Sequence, residues 1–282
     1  MGKAIVTSII RCPHCKSAIH EDSLRSVTCL DCNAEFKYES NKLIFKKLGT
    51  DDVKDELDKI KLFFKKWGKL YHFIIEVFSP VLLQYKLKKF IKENIHEGAV
   101  AINLGSGNSN ISEKITNVDI FPYEHVNMCC DIENIPIKDD SVDVVISIAV
   151  LEHVENPEKV VGEIHRILKK GGIIFTYFPF MQPFHASPYD FSRRTIEGMK
   201  VLHKDFDIQE VKIGSGPTSG FLWVFQEWIA ILLSFGNKKL HNMIYLLVML
   251  LTFPLKYLDL ILSRFSTSEN IASAFVIIAK KR

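Results

Sequence analysis

Residues 103–110 read NLGSGNSN and follow the apolar run Val100-Ala101-Ile102. An apolar strand that ends on two glycines one residue apart brings backbone close to a ligand. Gly105 and Gly107 have no side chain to block that approach, and they tolerate the positive φ of a tight turn. The stretch is not a complete dinucleotide fingerprint, because Asn110 stands where G-x-G-x-x-G has its third glycine. The lysine of a triphosphate-binding loop does not follow the glycines either, which disfavours a nucleoside triphosphate.

Outward from this turn, strand-like runs fall at 100–104, 117–120, 126–130, 142–148 and 172–178. A helix separates the last two. Asn156 is its N-cap and Pro157 its first residue, and Val160, Val161, Ile164, Ile167 and Leu168 form its apolar face. Lys169 and Lys170 complement its C-terminal dipole, and Gly171 stops it. Strands alternating with helices predict an α/β fold, a doubly wound Rossmann-like parallel sheet with ligands outside the carboxyl ends of the strands.

Four such places carry useful side chains. The first is the glycine turn. The second is Asp119, closing TNVDI (116–120), whose carboxylate can accept both hydroxyls of a ribose. The third is CDIENIPI (130–137), where Asp131 follows a strand and Ile132 can cover a flat base. The fourth is VLEHV (150–154), with His153 at the strand mouth, either on the substrate side or held in a structural hydrogen bond. Together they describe a nucleoside site without a phosphate.

The motifs INLGSGN (102–108), NVDI (117–120), DIENIPIKDDSVDVVISIAVLEHVENP (131–157) and EIHRILKKGG (163–172) resemble those of class I S-adenosylmethionine-dependent methyltransferases, in the group that includes ubiquinone/menaquinone methyltransferases. The resemblance covers about 99–207 plus the last strand. It implies that Gly105 and Gly107, with Asn103 and Asn108 beside them, border the methionine part of S-adenosylmethionine. Asp119 and Ile120 would then meet the ribose, and Asp131 and Ile132 the adenine. It also makes FDIQEVKIG (206–214) and IASAFVIIAKK (271–281) the last two strands, the final one antiparallel. The chain departs from the family at Ser109, and only fourteen positions separate Gly105 from Asp119, so the first helix must be short.

FPFMQPFHASPYDFSRRT (178–195) follows the fifth strand and so lies over the methyl-bearing end. His153, His185 and Asp190 are candidate bases, and Tyr189 and Arg193 candidate substrate contacts, Arg193 for an anionic group. A rigid lid bonded within itself is the alternative for Tyr189 and Arg194.

Ahead of this domain, CPHCKSAIHEDSLRSVTCLDCNAEF (12–36) pairs Cys12 with Cys15 and Cys29 with Cys32. Two C-x-x-C turns at this separation predict a four-thiolate structural zinc site with no open position. Residues 1–48 form this zinc-ribbon module, and 97–282 the main domain. Between them, 49–96 read as a helical linker or lid. Its apolar face is Leu57, Ile60, Phe64 and Trp67, opposite Lys59, Lys65, Lys66 and Lys69, and a second helix follows Ser79-Pro80 with Lys86, Lys88, Lys89 and Lys92 exposed. Cys129 and Cys130 read as small buried hydrophobes.

An insertion at about 217–270 is strongly apolar, in FLWVFQEWIAILLSF (221–235) and MIYLLVMLLTFPLKYLDLIL (243–262). Gln226, Glu227, Pro254 and Lys256 interrupt both runs before the ~20 residues a spanning helix needs. Two readings survive: contact with a membrane interface through about 221–263, or packing on the core or on the second subunit of a homodimer.

The 282 residues, 47% apolar with a formal charge of +3, exclude a disordered chain and give no sign of DNA binding. The N-terminus shows no secretory signal, which places the protein in the cytoplasm, peripheral to the inner membrane face if the insertion meets lipid. The leading expectation is O-methylation of a small-molecule, glycan or lipid-linked acceptor. An RNA base methyltransferase with a zinc-ribbon RNA contact is disfavoured by the lack of a dense basic patch, and a non-catalytic zinc scaffold is the second alternative.

Overall fold

The computed structural model describes residues 7–23, 26–48, 77–186 and 188–282. The helix expected around Leu57, Ile60, Phe64 and Trp67 lies outside them. The central strands are β5 (Ala101–Leu104), β6 (Thr116–Asp119), β7 (Met128–Cys129), β8 (Val142–Ile148) and β9 (Leu168–Pro179), followed by β10 (Phe206–Ser215) and β11 (Ala274–Lys281). They lie in the order β7-β6-β5-β8-β9-β11-β10. Pairing is parallel from β7 to β9, and β11 is antiparallel to both its neighbours. This is the expected Rossmann-like sheet, with its antiparallel last strand.

Burial on both faces explains the near-continuous apolar strands. Val145 and Ile174 pack with Val160, Val161, Ile164 and Ile167 of one helix, while Val144, Ile146 and Phe175 point the other way, toward Phe90. That residue belongs to α1 (Leu87–Asn94), which begins later than the sequence suggests and exposes Lys88, Lys89 and Lys92.

The helix after β8, α2 (Pro157–Ile167), starts as expected, although the Asn156 side chain makes no capping bond. It ends earlier. Leu168 is already extended, fully buried and paired with Val142, and the register jumps from there to Ile173 opposite Val144. Burying Leu168 in the sheet wins over one more helical turn, so Lys169 and Lys170 do not face the helix dipole, and the Lys169 ammonium binds Asp143 at 2.8 Å. The short helix expected between Gly105 and Asp119 is absent, and turns and irregular backbone run from Gly105 to the start of β6.

At the other edge, β1 (Ile19–Ser23), β2 (Ser26–Cys29), β3 (Glu35–Glu39) and β4 (Lys42–Ile44) form an antiparallel meander. Its last strand pairs in parallel with β7, Leu43 opposite Met128 and Ile44 opposite Cys129. The cysteine module therefore extends the main sheet to eleven strands. Cys129 and Cys130 are buried as expected.

Past α3 (Ile196–Leu202) and β10, the insertion forms α4 (Pro217–Ser234), α5 (Lys238–Thr252), a 3-10 segment (Phe253–Leu258) and α6 (Asp259–Leu262). Two buried charges seat it. Asp259 caps α4, accepting from Thr218 N at 2.7 Å, Ser219 N at 2.9 Å and Ser219 Oγ at 2.6 Å. Lys256 donates to the carbonyls of Val77 and Ser79, both at 2.9 Å. Pro254 and Lys256 do not end the helical run as expected: Lys238–Leu262 is helical over 25 residues, long and apolar enough by length and composition to cross a membrane. Pro254 sits in the first turn of the 3-10 segment, where its missing N–H costs little. Lys256 is sheltered by its two carbonyls.

Candidate functional site

A cleft of ≈ 440 Å³ opens at the carboxyl ends of β5, β6, β7 and β8, within the size range of small-molecule sites. Gly105 and Gly107 form its floor at φ 62° and 55°. A Cβ on Gly105 would lie 2.4 Å from Val150 Cγ2, whereas one on Gly107 would meet nothing within 4 Å. The first glycine is thus required by packing and the second leaves the cleft open.

Asp119 ties this turn to the end of β6. Its Oδ2 accepts from Gly107 N at 2.7 Å and its Oδ1 from Phe121 N at 2.9 Å. A carboxylate offers roughly four acceptor sites, so it can hold the turn and still accept from a ligand. Ile120, Asp131 and Ile132 line the adjoining wall. Asp131 accepts from Glu133 N at 3.0 Å and from Lys46 Nζ at 2.7 Å. Burial would raise its pKa, but Lys46 and that N–H outweigh burial and hold it below the usual carboxylate range.

Lys46 belongs to the cysteine module, as does Leu48, which lines the cleft and donates its N–H to Ile120 O at 3.0 Å. Sequence reasoning missed both, since no local pattern links them to residues some 70 to 85 positions away. Two expected cofactor residues are not brought to the cleft. Asn103 is buried and its amide donates at 3.0 Å to Oδ1 of Asn117, its cross-strand partner. Asn108 stands off the lining, and its buried Oδ1 has no hydrogen-bond partner.

The opposite end is built by a strained turn. Ala149 adopts φ 53° just after β8, and a 3-10 turn (Leu151–His153) follows. This turns Glu152 inward. It is fully buried, neither carboxylate oxygen has a hydrogen-bond partner, and burial pushes its pKa up to about 8. His153 lines the cleft, with Nδ1 2.6 Å from Tyr189 O, and burial lowers its pKa below the usual imidazole value. Its ring stands edge-on to that of His185, centroids 5.4 Å apart, and Trp223 of α4 covers His185 at 5.2 Å. The residue that sequence reasoning passed over here is Glu152, although the adjacent Glu-His pair was visible in VLEHV.

The remaining loop residues divide. Tyr189 lines the cleft. Asp190 and Arg193 are instead bound to each other, Arg193 forking onto both carboxylate oxygens. Asp190 also accepts from His185 N at 2.7 Å, and Arg193 donates to the carbonyls of Gln182 and Pro183. Burial would raise the Asp190 carboxyl, but Arg193 and His185 N outweigh burial and hold it low. It is a weak base and Arg193 is a spent donor, so this pair shapes the loop in place of the base and substrate roles expected for it.

In the N-terminal module all four sulfurs lie within 4.8 Å of one another, with Cys15 Sγ 3.3 Å from Cys29 Sγ and Cys12 Sγ 3.6 Å from Cys32 Sγ. All are free thiols. Zn–S bonds of ~2.3 Å put sulfurs roughly 3.8 Å apart in a tetrahedron, so the donor set fits zinc. Both knuckles close alike: Lys16 N donates to Cys12 O and Asn33 N to Cys29 O, each from a residue of positive φ.

Comparison with known proteins matches residues 97–176 to the family described as a methyltransferase domain. Most of the residues that line the cleft fall within the matched segment. Among curated proteins, the chain is 27% identical over 139 residues to sterol 4-C-methyltransferase strm-1 of Caenorhabditis elegans, a match covering 39% of this chain and 42% of that protein. The chain thus matches less than half the length of this relative. Among solved structures, one described as a sarcosine dimethylglycine methyltransferase from Galdieria sulphuraria aligns at a TM-score of 0.50 and 14% identity, over 79% of this chain and 98% of that one. Phosphoethanolamine N-methyltransferase 2 of Haemonchus contortus aligns at 0.42 and 16%, over 69% and 52%. At 14% identity the first of these is a likeness of fold.

Proposed function

We propose that the chain is an S-adenosylmethionine-dependent methyltransferase acting on the hydroxyl of an apolar, lipid-linked acceptor. The carrying observation is the single cleft in which Asp119 ties the Gly107 turn to the end of β6 beside Asp131 and Ile132. These residues suit a nucleoside: Asp119 for the ribose diol, Asp131 with Ile120 and Ile132 for the adenine, and the open face of Gly107 for the methionine part. S-adenosylmethionine supplies a methyl already activated as a sulfonium, so the chain has to align the acceptor and let its proton leave. That work falls to the Glu152, His153 and His185 end. Zinc held by Cys12, Cys15, Cys29 and Cys32 is structural in this reading.

The lipid part of the proposal rests on the insertion. Trp228, Ile231, Phe235, Leu247, Leu251 and Leu260 are all more than half exposed, and so much apolar surface across α4, α5 and α6 marks an interaction face. Trp223 connects that face to the His185 end of the site. The curated relative is, by its name, a sterol methyltransferase, an enzyme of a lipid acceptor.

Calorimetric titration of the full-length protein with S-adenosylmethionine, and separately with NAD, tests the cofactor reading. Saturable binding of the first alone is expected, and binding of neither, or of NAD, sinks it. Cosedimentation with anionic phospholipid vesicles tests the interface. A protein that stays in the supernatant at every lipid concentration defeats the lipid-delivered acceptor.

A further inference from the structure

Three ligand-type atoms converge beside the cleft. His153 Nε2 lies 3.7 Å and His185 Nε2 3.9 Å from Glu152 Oε1, and the three groups fall within 4.8 Å of one another. Each ring directs its other nitrogen at a backbone carbonyl, His153 Nδ1 at Tyr189 O (2.6 Å) and His185 Nδ1 at Pro183 O (2.9 Å). His185 Nδ1 also lies 3.1 Å from the Arg193 guanidinium; in the tautomer whose Nδ1–H donates to the carbonyl, each Nε2 presents a lone pair on the carboxylate side. The carboxylate is fully buried and neither of its oxygens has a hydrogen-bond partner. The unsatisfied group of the three is the buried Glu152 carboxyl, and two imidazole nitrogens stand beside it.

We propose that Glu152, His153 and His185 form a binding site for a divalent first-row transition ion at the acceptor end of the cleft. Two imidazoles and a carboxylate are the ligand types such ions take. Bonds of ~2.1 Å place tetrahedral ligands roughly 3.4 Å apart, and the two histidine–carboxylate separations, 3.7 and 3.9 Å, exceed this by a few tenths of an ångström. The Nδ1–carbonyl bonds are the outer contacts that fix ligating histidines in tautomer and orientation. His153 lines the cleft, which leaves the ion an open side toward the acceptor. An ion there lowers the pKa of an oxygen it touches. Granting the methyl-transfer reading, a hydroxyl acceptor then loses its proton to water as its O–CH3 bond forms and the S–CH3 bond breaks.

Titrating the full-length, zinc-loaded protein with Mn²⁺, with free Mn²⁺ followed by electron paramagnetic resonance, tests the site. Mn²⁺ disfavours thiolates, so the cysteine knuckles do not compete. One saturable site is expected, weakened at least ~10-fold by the near-isosteric Glu152→Gln and likewise by His185→Gln, while Cys12→Ser leaves it in place. No saturable binding to the wild type, or unchanged affinity in both variants, overturns the site. S-adenosylmethionine titration of the same sample separates the two proposals. Mn²⁺ binding without cofactor binding leaves the metal site standing and removes methyl transfer, and the reverse removes the site alone.

Discussion

The two additions to the central sheet are attached in opposite ways. The cysteine module joins through backbone: β4 pairs with β7, and the N–H groups of Phe45, Lys46 and Leu48 donate to Cys129 O and Ile120 O. The helical insertion is held by buried side chains, Asp259 tying its two ends together and Lys256 binding the carbonyls of Val77 and Ser79, and leaves α5 without one buried residue. A ladder fixes position closely, and it brings Leu48 into the cleft wall and Lys46 against Asp131. A few polar anchors hold the base of a structure whose outer face is free to meet something else. The first addition completes the site from within the protein, and the second turns it outward.

Breaking the knuckle is the strongest way to test that contrast. Cys12→Ser removes one thiolate of four from a module whose own core is little more than Ile10, Val27, Phe36 and Leu43 around the cysteines. Structural zinc supplies roughly 10 kcal/mol or more to such a fragment, so the variant should lose zinc in a metal assay and unfold the module. Because Leu48 and Lys46 leave with it, affinity for S-adenosylmethionine should fall too. A variant that loses zinc yet binds the cofactor as tightly as wild type would separate the module from the site.

The counterpart in the insertion is Asp259→Ala. It leaves the buried N–H groups of Thr218 and Ser219 unpaired at the start of α4. Losing a capping carboxylate and orphaning two donors costs ~3 kcal/mol, read as a lower midpoint in thermal unfolding. Cofactor affinity should stay within about twofold, since none of the residues involved lines the cleft. A large loss of affinity would show that the insertion, too, shapes the cofactor site.

The same division governs what the sequence discloses. Features carried by neighbours along the chain were legible: the β8–α2–β9 unit from its apolar periodicity, the knuckles from two C-x-x-C pairs, the glycine turn and Asp119 from strand ends. Features created by distant contact were not. Lys46 meets Asp131 only because β4 lands beside β7, and no local signal announces an edge-to-edge parallel pairing between modules. Glu152 reads as an ordinary helix-turn residue until the positive φ of Ala149 turns it inward. Asp190 and Arg193, three apart in sequence, read as catalytic because of their chemistry, and it took the fork between them to show that each satisfies the other. Leu168 was assigned to a helix by periodicity that tertiary burial overrode.

The finest cut is Lys46→Ala. Both partners of the Lys46–Asp131 pair are substantially solvent-accessible, with side-chain exposures of 57% and 34%, so after screening the contact is worth only ~0.3–1 kcal/mol. That predicts a roughly two- to fivefold loss of S-adenosylmethionine affinity, with no change in zinc content. The effect should shrink as salt is raised, because exposed charges are screened within about 10 Å at 0.1 M. Its pH dependence has a defined sign. The folded-state pKa of Asp131 is held low, so the pair contributes fully above the unfolded carboxylate pKa, and its contribution is lost as pH falls through the folded value. The difference between wild type and Lys46→Ala should therefore be present at neutral pH and vanish in acid. If it is instead indifferent to both salt and pH, Lys46 acts by packing its stem against the cleft wall rather than by its charge, and the module's contribution to the site is one of shape.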